Sequence, residues 1–252
     1  MDTAAVLAAF DQQLRRDLPP STATLDRAPR LTRHLGSGPD GWSGVVWSDL
    51  DTDTADEVVA GAVAWLRTVE GHGEWKHYEH DRPADLPERL RAAGLRPDEP
   101  ESVMIAEAAA VPDFPAPAGT RVVDVEDDDG VELAVRVHEL AFDADFAWLG
   151  KRMRAGLAAG GMDVVVVMAG DEPVSAARTD YYPGTEFAGL WGGGTVPAWR
   201  GRGAYRALVS QRARRAQARG IRYLQVDAAP TSRPILERVG FTRLTGTTPY
   251  TL

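Results

Sequence analysis

The sequence predicts a mixed α/β fold of the α+β type: a central, mostly antiparallel sheet in its C-terminal part, preceded by a smaller α/β subdomain. Two observations carry this. Residues 111–119 hold Pro112, Pro115 and Pro117 and read as a linker, giving parts at 1–110 and 120–252. Beyond the linker, apolar residues switch between the spacings of strands and helices in the order strand, two helices, three strands, helix, strand, helix, strand.

Taken in order, residues 120–125 alternate like a strand, while 129–142 and 146–159 space their apolar residues three and four apart, as helices do. The acidic run Glu126-Asp127-Asp128-Asp129 suits the positive end of the first helix, and Asp145 that of the second. Residues 164–168 form a continuous apolar run, the mark of a strand buried on both faces. Turns at Gly170-Asp171 and Pro183-Gly184 lead into strands at 174–181 and 187–196, completing an antiparallel meander. A helix follows over 203–219, with Gly220 as its C-cap and Arg214, Arg215 and Arg219 near its negative end. Next come a strand at 223–227, a short helix at 232–239 and a last strand from Phe241. The N-terminal part echoes this ending, with a strand at 75–78, a helix at 84–93, Gly94-Leu95 and a strand at 102–106.

Composition narrows the function. A chain of 252 residues with 44% hydrophobic and 26% charged residues is ordinary for a soluble protein with real cores. A net charge of -9 argues against nucleic-acid partners, which need a basic face, and is compatible with a cationic amine substrate. Without cysteine there are no disulfides, thiolate nucleophiles or cysteine metal sites. His72, His77 and His80 lack the spacing of a helix-borne zinc pair, so no metal is expected. No apolar run approaches the roughly 20 residues of a membrane span. The start Met1-Asp2-Thr3 lacks a signal peptide's basic region, so the expected location is cytoplasmic, away from membranes.

The stretch Thr195-Val196-Pro197-Ala198-Trp199-Arg200-Gly201-Arg202-Gly203-Ala204-Tyr205-Arg206 joins strand to helix through a glycine- and arginine-containing turn. Glycines let the backbone approach a ligand, and a helix starting there presents unpaired N–H groups and a positive dipole end, which favours phosphate. No Gly-Lys-Ser/Thr follows, and no Gly-x-Gly-x-x-Gly opens a parallel unit, so neither a P-loop nor a Rossmann site is predicted. Gly192-Gly193-Gly194 inside a strand marks a bulge or a close ligand approach.

On these residues the C-terminal part resembles the GCN5-related N-acetyltransferase (GNAT) superfamily. That family's turn reads arginine or glutamine, two residues, glycine, one residue, then glycine or alanine. Arg200 and Gly203 fit it, Pro197 stands where expected, and Gly240-Phe241 ends the last helix as in relatives. Tyr205 departs from the pattern, standing where a small residue is usual. The N-terminal echo, over residues 20 to 110, suggests a degenerate second copy without the turn.

The resemblance implies acetyl-CoA as co-substrate, without metal, its pyrophosphate held by Arg200, Gly201, Arg202, Gly203, Ala204 and Tyr205. Backbone of Gly194, Thr195 and Val196 would meet the pantetheine arm and thioester. It implies direct attack on the thioester by a primary amine, from a small molecule or a protein, in a ternary complex. The tyrosine that many relatives use as acid is replaced by Leu236. Ser232, Tyr250 and Tyr205 are the substitutes, and Glu186 the candidate base. The alternative is a non-catalytic acyl-CoA sensor or degenerate module. A monomer or homodimer is expected, and no motif names the acceptor.

Overall fold

A computed structural model describes residues 1–19, 24–36 and 41–252. The suggested second copy over 20 to 110 includes 20–23 and 37–40, which lie outside the described residues. The chain forms two compact units, Met1–Met104 with Asp227–Ile235 and Arg243–Leu252, and Ile105–Val226 with Leu236–Thr242.

In the second unit, β7 (Thr120–Asp124) leads to helices α4 (Asp128–Phe142) and α5 (Ala147–Ala158). Then follow strands β8 (Met162–Ala169), β9 (Glu172–Tyr181) and β10 (Phe187–Thr195), helix α6 (Ala204–Ala218) and β11 (Tyr223–Ala228). The strands lie in the order β7-β8-β9-β10-β11, antiparallel throughout except for the parallel pair β10–β11. The predicted meander and element order are therefore present. The run at 164–168 is apolar on every residue because both faces of β8 are covered. Val164 and Val166 pack with α4 and α5, whereas Val165 and Val167 pack with Ala204 and Leu208 of α6. Asp127 accepts the Gly130 N–H at 2.9 Å and Asp145 the Ala147 N–H at 2.8 Å, so both acidic residues cap helices.

Residues 111–119 do not hang free. Phe114 N–H donates to Ser210 Oγ at 2.8 Å, and Ser210 Oγ donates to the Pro112 carbonyl at 2.8 Å, which straps this proline-rich segment onto α6. Prolines signal an extended backbone, and side-chain bonds of this kind leave no trace in composition.

The first unit opens with α1 (Thr3–Phe10), continued by one π-helical stretch, Asp11–Arg16. Strands β1 (Thr24–Ala28), β2 (Leu31–Leu35) and β3 (Trp42–Ser48) precede α2 (Ala55–Leu66) and β4 (His72–Tyr78). Helix α3 (Leu86–Ala92), β5 (Arg96–Pro97) and β6 (Glu101–Glu107) follow. The chain ends with the short helix α7 (Arg233–Arg238) and β12 (Thr242–Thr251). Here β1-β2-β3-β4-β12 are neighbours, antiparallel except for β3–β4. The final strand thus pairs with β4, Thr247 opposite Tyr78, rather than staying with the segment that precedes it. The expected boundary at residue 110 does not show this, because a pairing between positions about 170 apart is invisible to local pattern. The core gathers Val45, Val59, Val63, Trp75, Leu86, Leu90 and Tyr250. His72 pairs with Glu74, and His80 with Asp11 and Thr245, while the His77 ring packs on Tyr250. Among the described residues no helix is long and apolar enough to cross a membrane.

The second unit is fastened by Asp163, which is buried on β8. It accepts from Tyr181 Oη at 2.7 Å, Arg215 Nε at 2.7 Å and Arg219 Nη2 at 2.8 Å. Burial alone pushes this carboxyl up, but the bonds from Arg215 and Tyr181 and the nearby guanidinium charges outweigh it and hold it below its ordinary 3.8. A depressed carboxyl stabilises the fold above its unfolded value, and that contribution is lost as pH falls through the folded value. Asp163→Asn should cost about 1–3 kcal/mol at neutral pH, since Arg215 and Arg219 stay partly solvated. Thermal melts of the two proteins should converge as pH drops well below 3.8. A gap that persists in acid would contradict the assignment.

Candidate active site

The parallel ladder of β10 and β11 holds only three pairs, Phe187–Tyr223, Ala188–Leu224 and Gly189–Gln225. Past Gly189 the β11 side of β10 has no ladder partner among the described residues. On its other side the register with β9 shifts: Trp191 lies opposite Arg178 and Gly194 opposite Ala176, so Gly192 and Gly193 together face Ala177 alone. This is a bulge, the feature the glycine triplet predicts.

Each of the three glycines answers a different neighbour. A Cβ on Gly192, whose φ is +59°, would stand 2.7 Å from His138 Nε2 and 3.1 Å from Arg178 Nη1. On Gly193 it would meet Tyr205 Cε2 at 2.5 Å, and on Gly194 Phe142 Cε2 at 3.0 Å. His138 of α4 is buried, with Nε2 2.6 Å from the Gly192 carbonyl oxygen and Nδ1 2.7 Å from that of Ala134. Burial holds its imidazole below the usual value, against the upward pull of these two carbonyls. Carbonyl and N–H of one peptide point in opposite directions, so the contact at Gly192 turns the Gly193 N–H away from α4.

After β10 the chain makes a short 3₁₀ turn, Pro197–Trp199, and enters α6. Gly201 and Gly203 take φ of +76° and +97°, which an L side chain resists, and Gly203 is the N-cap of α6 without any side-chain cap. The first N–H groups of α6, from Ala204 to Arg206, have no intrahelical acceptor and lie at the positive end of its dipole. Arg206 packs its guanidinium over Phe114, and Arg202 over Trp199 at 5.0 Å. Arg200, though exposed, bonds the backbone: Nε donates to the Thr195 carbonyl at 3.1 Å and Nη2 to that of Ala141 at 2.8 Å. It ties the turn to β10 and α4. Val196 N–H donates to the Val174 carbonyl at 3.0 Å, facing β9; by strand alternation Thr195 presents its backbone to the unpaired edge, and Gly194 to β9.

The predicted catalytic residues are scattered. Glu186 precedes β10 beside Arg222, at 3.3 Å. Six residues along a strand span about 20 Å, so its carboxyl does not reach Gly192. Ser232 and Tyr250 belong to the first unit. Ser232 N–H donates to the Ala229 carbonyl in the turn before α7, and Tyr250 is buried, its hydroxyl accepting from Arg91. Leu236 is fully buried. Tyr205 alone among the candidates stands at the bulge, its ring against Gly193 and within 6.0 Å of the buried Arg212 guanidinium. Sequence reading missed His138, Arg178 and Arg212, whose only signal is a polar residue at a position that the helix or strand pattern buries.

The first unit repeats the framework with other contents. Its parallel pair β3–β4 also stops early, at Val45–Trp75, and α2 joins the two strands as α6 joins β10 and β11. There Arg15 Nε donates to the Val46 carbonyl at 3.1 Å, its guanidinium stacked on Tyr78 and paired with Asp11 and Asp81. The turn before α2 carries Asp49, Asp51 and Asp53, and Asp51 Oδ1 accepts from the N–H groups of Asp53 and Thr54. The Thr54 bonds hold that carboxyl low, at about 2, so a carboxylate of the chain occupies two amides of the turn that leads into α2.

Comparison with known proteins completes the description. Residues 127–249 match the family described as the acetyltransferase (GNAT) domain. No curated protein matches the chain. Among solved structures, a GCN5-related N-acetyltransferase from Kribbella flavida is similar with a TM-score of 0.74 at 15% identity, over 99% of this chain and 95% of that one. A tandem GNAT protein from the clavulanic acid biosynthesis pathway, without AcCoA, gives 0.63 at 15% over 99% and 93%. A GCN5-related N-acetyltransferase from Sphaerobacter thermophilus gives 0.64 at 15% over 88% and 76%. At these identities the likeness is one of fold, and it spans both halves of the chain. Residues 127–249 thus belong to the GNAT acetyltransferase domain family, on a chain whose fold is shared with tandem GNAT proteins.

Proposed function

We propose that the second unit transfers an acetyl group from acetyl-CoA to a primary amine by direct attack in a ternary complex. One coincidence carries this reading: the edge of β10 freed beyond Gly189 leads straight into the open amides at the start of α6. Thr195 offers its N–H to a pantetheine arm at the edge of β10, as an added strand would meet it, while Arg200 already donates to its carbonyl. The N–H groups of Ala204 to Arg206, with Arg202 and Arg206 beside them, offer a pyrophosphate its donors and countercharge.

At the bulge, the Gly193 N–H faces the place where the thioester oxygen gains negative charge as the amine adds. The amine nitrogen bonds the acetyl carbon, the carbon–sulfur bond breaks, and the departing thiolate takes a proton. Tyr205 is the group suited to give it, since its ring lies on Gly193 and no acid occupies position 236. The extra proton of the new amide nitrogen passes to water. The buried Leu236 favours the second reading, an acyl-CoA sensor without chemistry.

Calorimetric titration should find one acetyl-CoA per chain, because Asp51 and Arg15 fill the corresponding places of the first unit; two equivalents would contradict this. Gly203→Asp places a carboxylate in the phosphate turn and strains a left-handed position, so affinity should fall about 100-fold or more. Tyr205→Phe should lower kcat on the order of 100-fold while acetyl-CoA affinity is kept. An unchanged kcat removes Tyr205 from the chemistry. Tight acetyl-CoA binding with no thiol release on any amine selects the sensor.

A further inference from the structure

The α4 side of the bulge carries a cation that the protein leaves half-satisfied. Arg178 on β9 and Trp191 on β10 are direct cross-strand partners, so both face α4 and α5. Asp180, opposite Gly189, is the carboxylate that Arg178 shares with Arg152 of α5: Arg152 Nη2 lies 2.8 Å from Oδ2 and Arg178 Nε 3.3 Å from Oδ1. Two guanidiniums thus share one carboxylate, a net charge of about +1 in a place where the Arg178 and Asp180 side chains are only 12% and 13% exposed. His138, the other titratable group at Gly192, does not offset this charge. Arg178 meets Asp180 as an ion pair only: Nε and Asp180 Oδ1 are buried and make no hydrogen bond. Among the described residues its two terminal nitrogens donate no hydrogen bond to the protein, and Nη1 lies against Gly192, where glycine leaves room.

Burying a guanidinium is costly unless its donors are used, and a carboxylate meets the two terminal nitrogens as a matched fork. The phosphates of CoA do not reach this place in the reading above. They fall at the start of α6, on the side that Gly193 turns to Tyr205, whereas Gly192 turns to His138 and Arg178. Next to Arg178 stand apolar and aromatic surfaces for an organic body. Trp191 folds over Gly189 with its Nε1 3.4 Å from Tyr182 Oη, and Phe142, against Gly194, packs at a tilt on Phe146.

We propose that the acceptor is an amino carboxylate: its amine is presented at the Gly192–Gly193 bulge and its carboxylate is held by the terminal nitrogens of Arg178. Asp180 and Arg152 are positioning residues that fix the Arg178 guanidinium. This rests on the acetyl-transfer reading of the same site and adds the chemical class of the acceptor.

The test measures thiol release from acetyl-CoA with amino acids, their carboxamides and the matching amines that lack the carboxylate. For the best amino acid, kcat/KM should exceed that of its carboxamide by on the order of 10- to 100-fold, mainly through KM. In Arg178→Met the ratio should fall to near one. Arg178→Lys, which keeps the charge but not the fork, should retain an intermediate ratio and serves if the methionine variant does not fold. Carboxamides or simple amines used as well as the amino acids would overturn the proposal and leave acetyl transfer standing. So would a ratio that survives both substitutions. Bound acetyl-CoA with no turnover on any member of the panel would overturn acetyl transfer itself, and this assignment with it.

Discussion

The contact between His138 and the Gly192 carbonyl fixes the geometry on which the site depends. An extra residue in a strand is tolerated only where its backbone groups find other partners, and here a buried imidazole takes one of them. With Gly192 held toward α4, the next N–H turns the other way, and β10 presents a free edge after three parallel pairs with β11. The glycine triplet follows from the same constraint. His138 and Arg178 occupy the first side-chain direction, Tyr205 the second and Phe142 the third, so none of the three positions has room for a Cβ without displacement. A packing requirement of the folded state and an opening for a ligand are here one feature.

Around that point the structure separates tasks by side of the sheet. The α6 side gathers open amides, Arg202, Arg206 and a phenol, all suited to a phosphate-bearing thioester. The α4 side gathers Arg178, Asp180, Arg152 and a run of aromatic rings. Arg200, which the sequence places in the turn before α6, also spans the two by bonding Thr195 and Ala141, which ties the turn to β10 and α4. The first unit shows what the same framework becomes when those groups change. An arginine lies along the end of its parallel ladder, and an aspartate satisfies the amides of its turn.

Much of this was legible in the chain. The second unit's elements follow from apolar spacing, because each strand and helix there buries one or two faces in a local, periodic way. The bulge announces itself through three consecutive glycines, and the left-handed turn into α6 through Gly201 and Gly203 ahead of a helix. Pairings across long separations were not legible: β12 beside β4, Ser210 holding Pro112 and Phe114, Arg15 reaching Val46. Where the catalytic candidates lie was not legible for the same reason. Glu186 is close to the bulge in sequence, yet a strand is extended and puts it about 20 Å away. Tyr250 looks available by position, but the last strand carries it into the core of the first unit. Buried polar residues such as His138 and Arg178 are visible only once the faces of their elements are known.

The central claim is that the free edge of β10 and the open amides of α6 form one binding surface for acetyl-CoA, and that the first unit has none. Hydrogen exchange of the intact chain, followed by mass spectrometry with and without acetyl-CoA, tests it directly. The account predicts added protection in peptides covering Gly193 to Thr195 and Ala204 to Arg206, with no change over Asp49 to Thr54. Protection confined to the turn before α2, or absent from both turns at saturating acetyl-CoA, would contradict it.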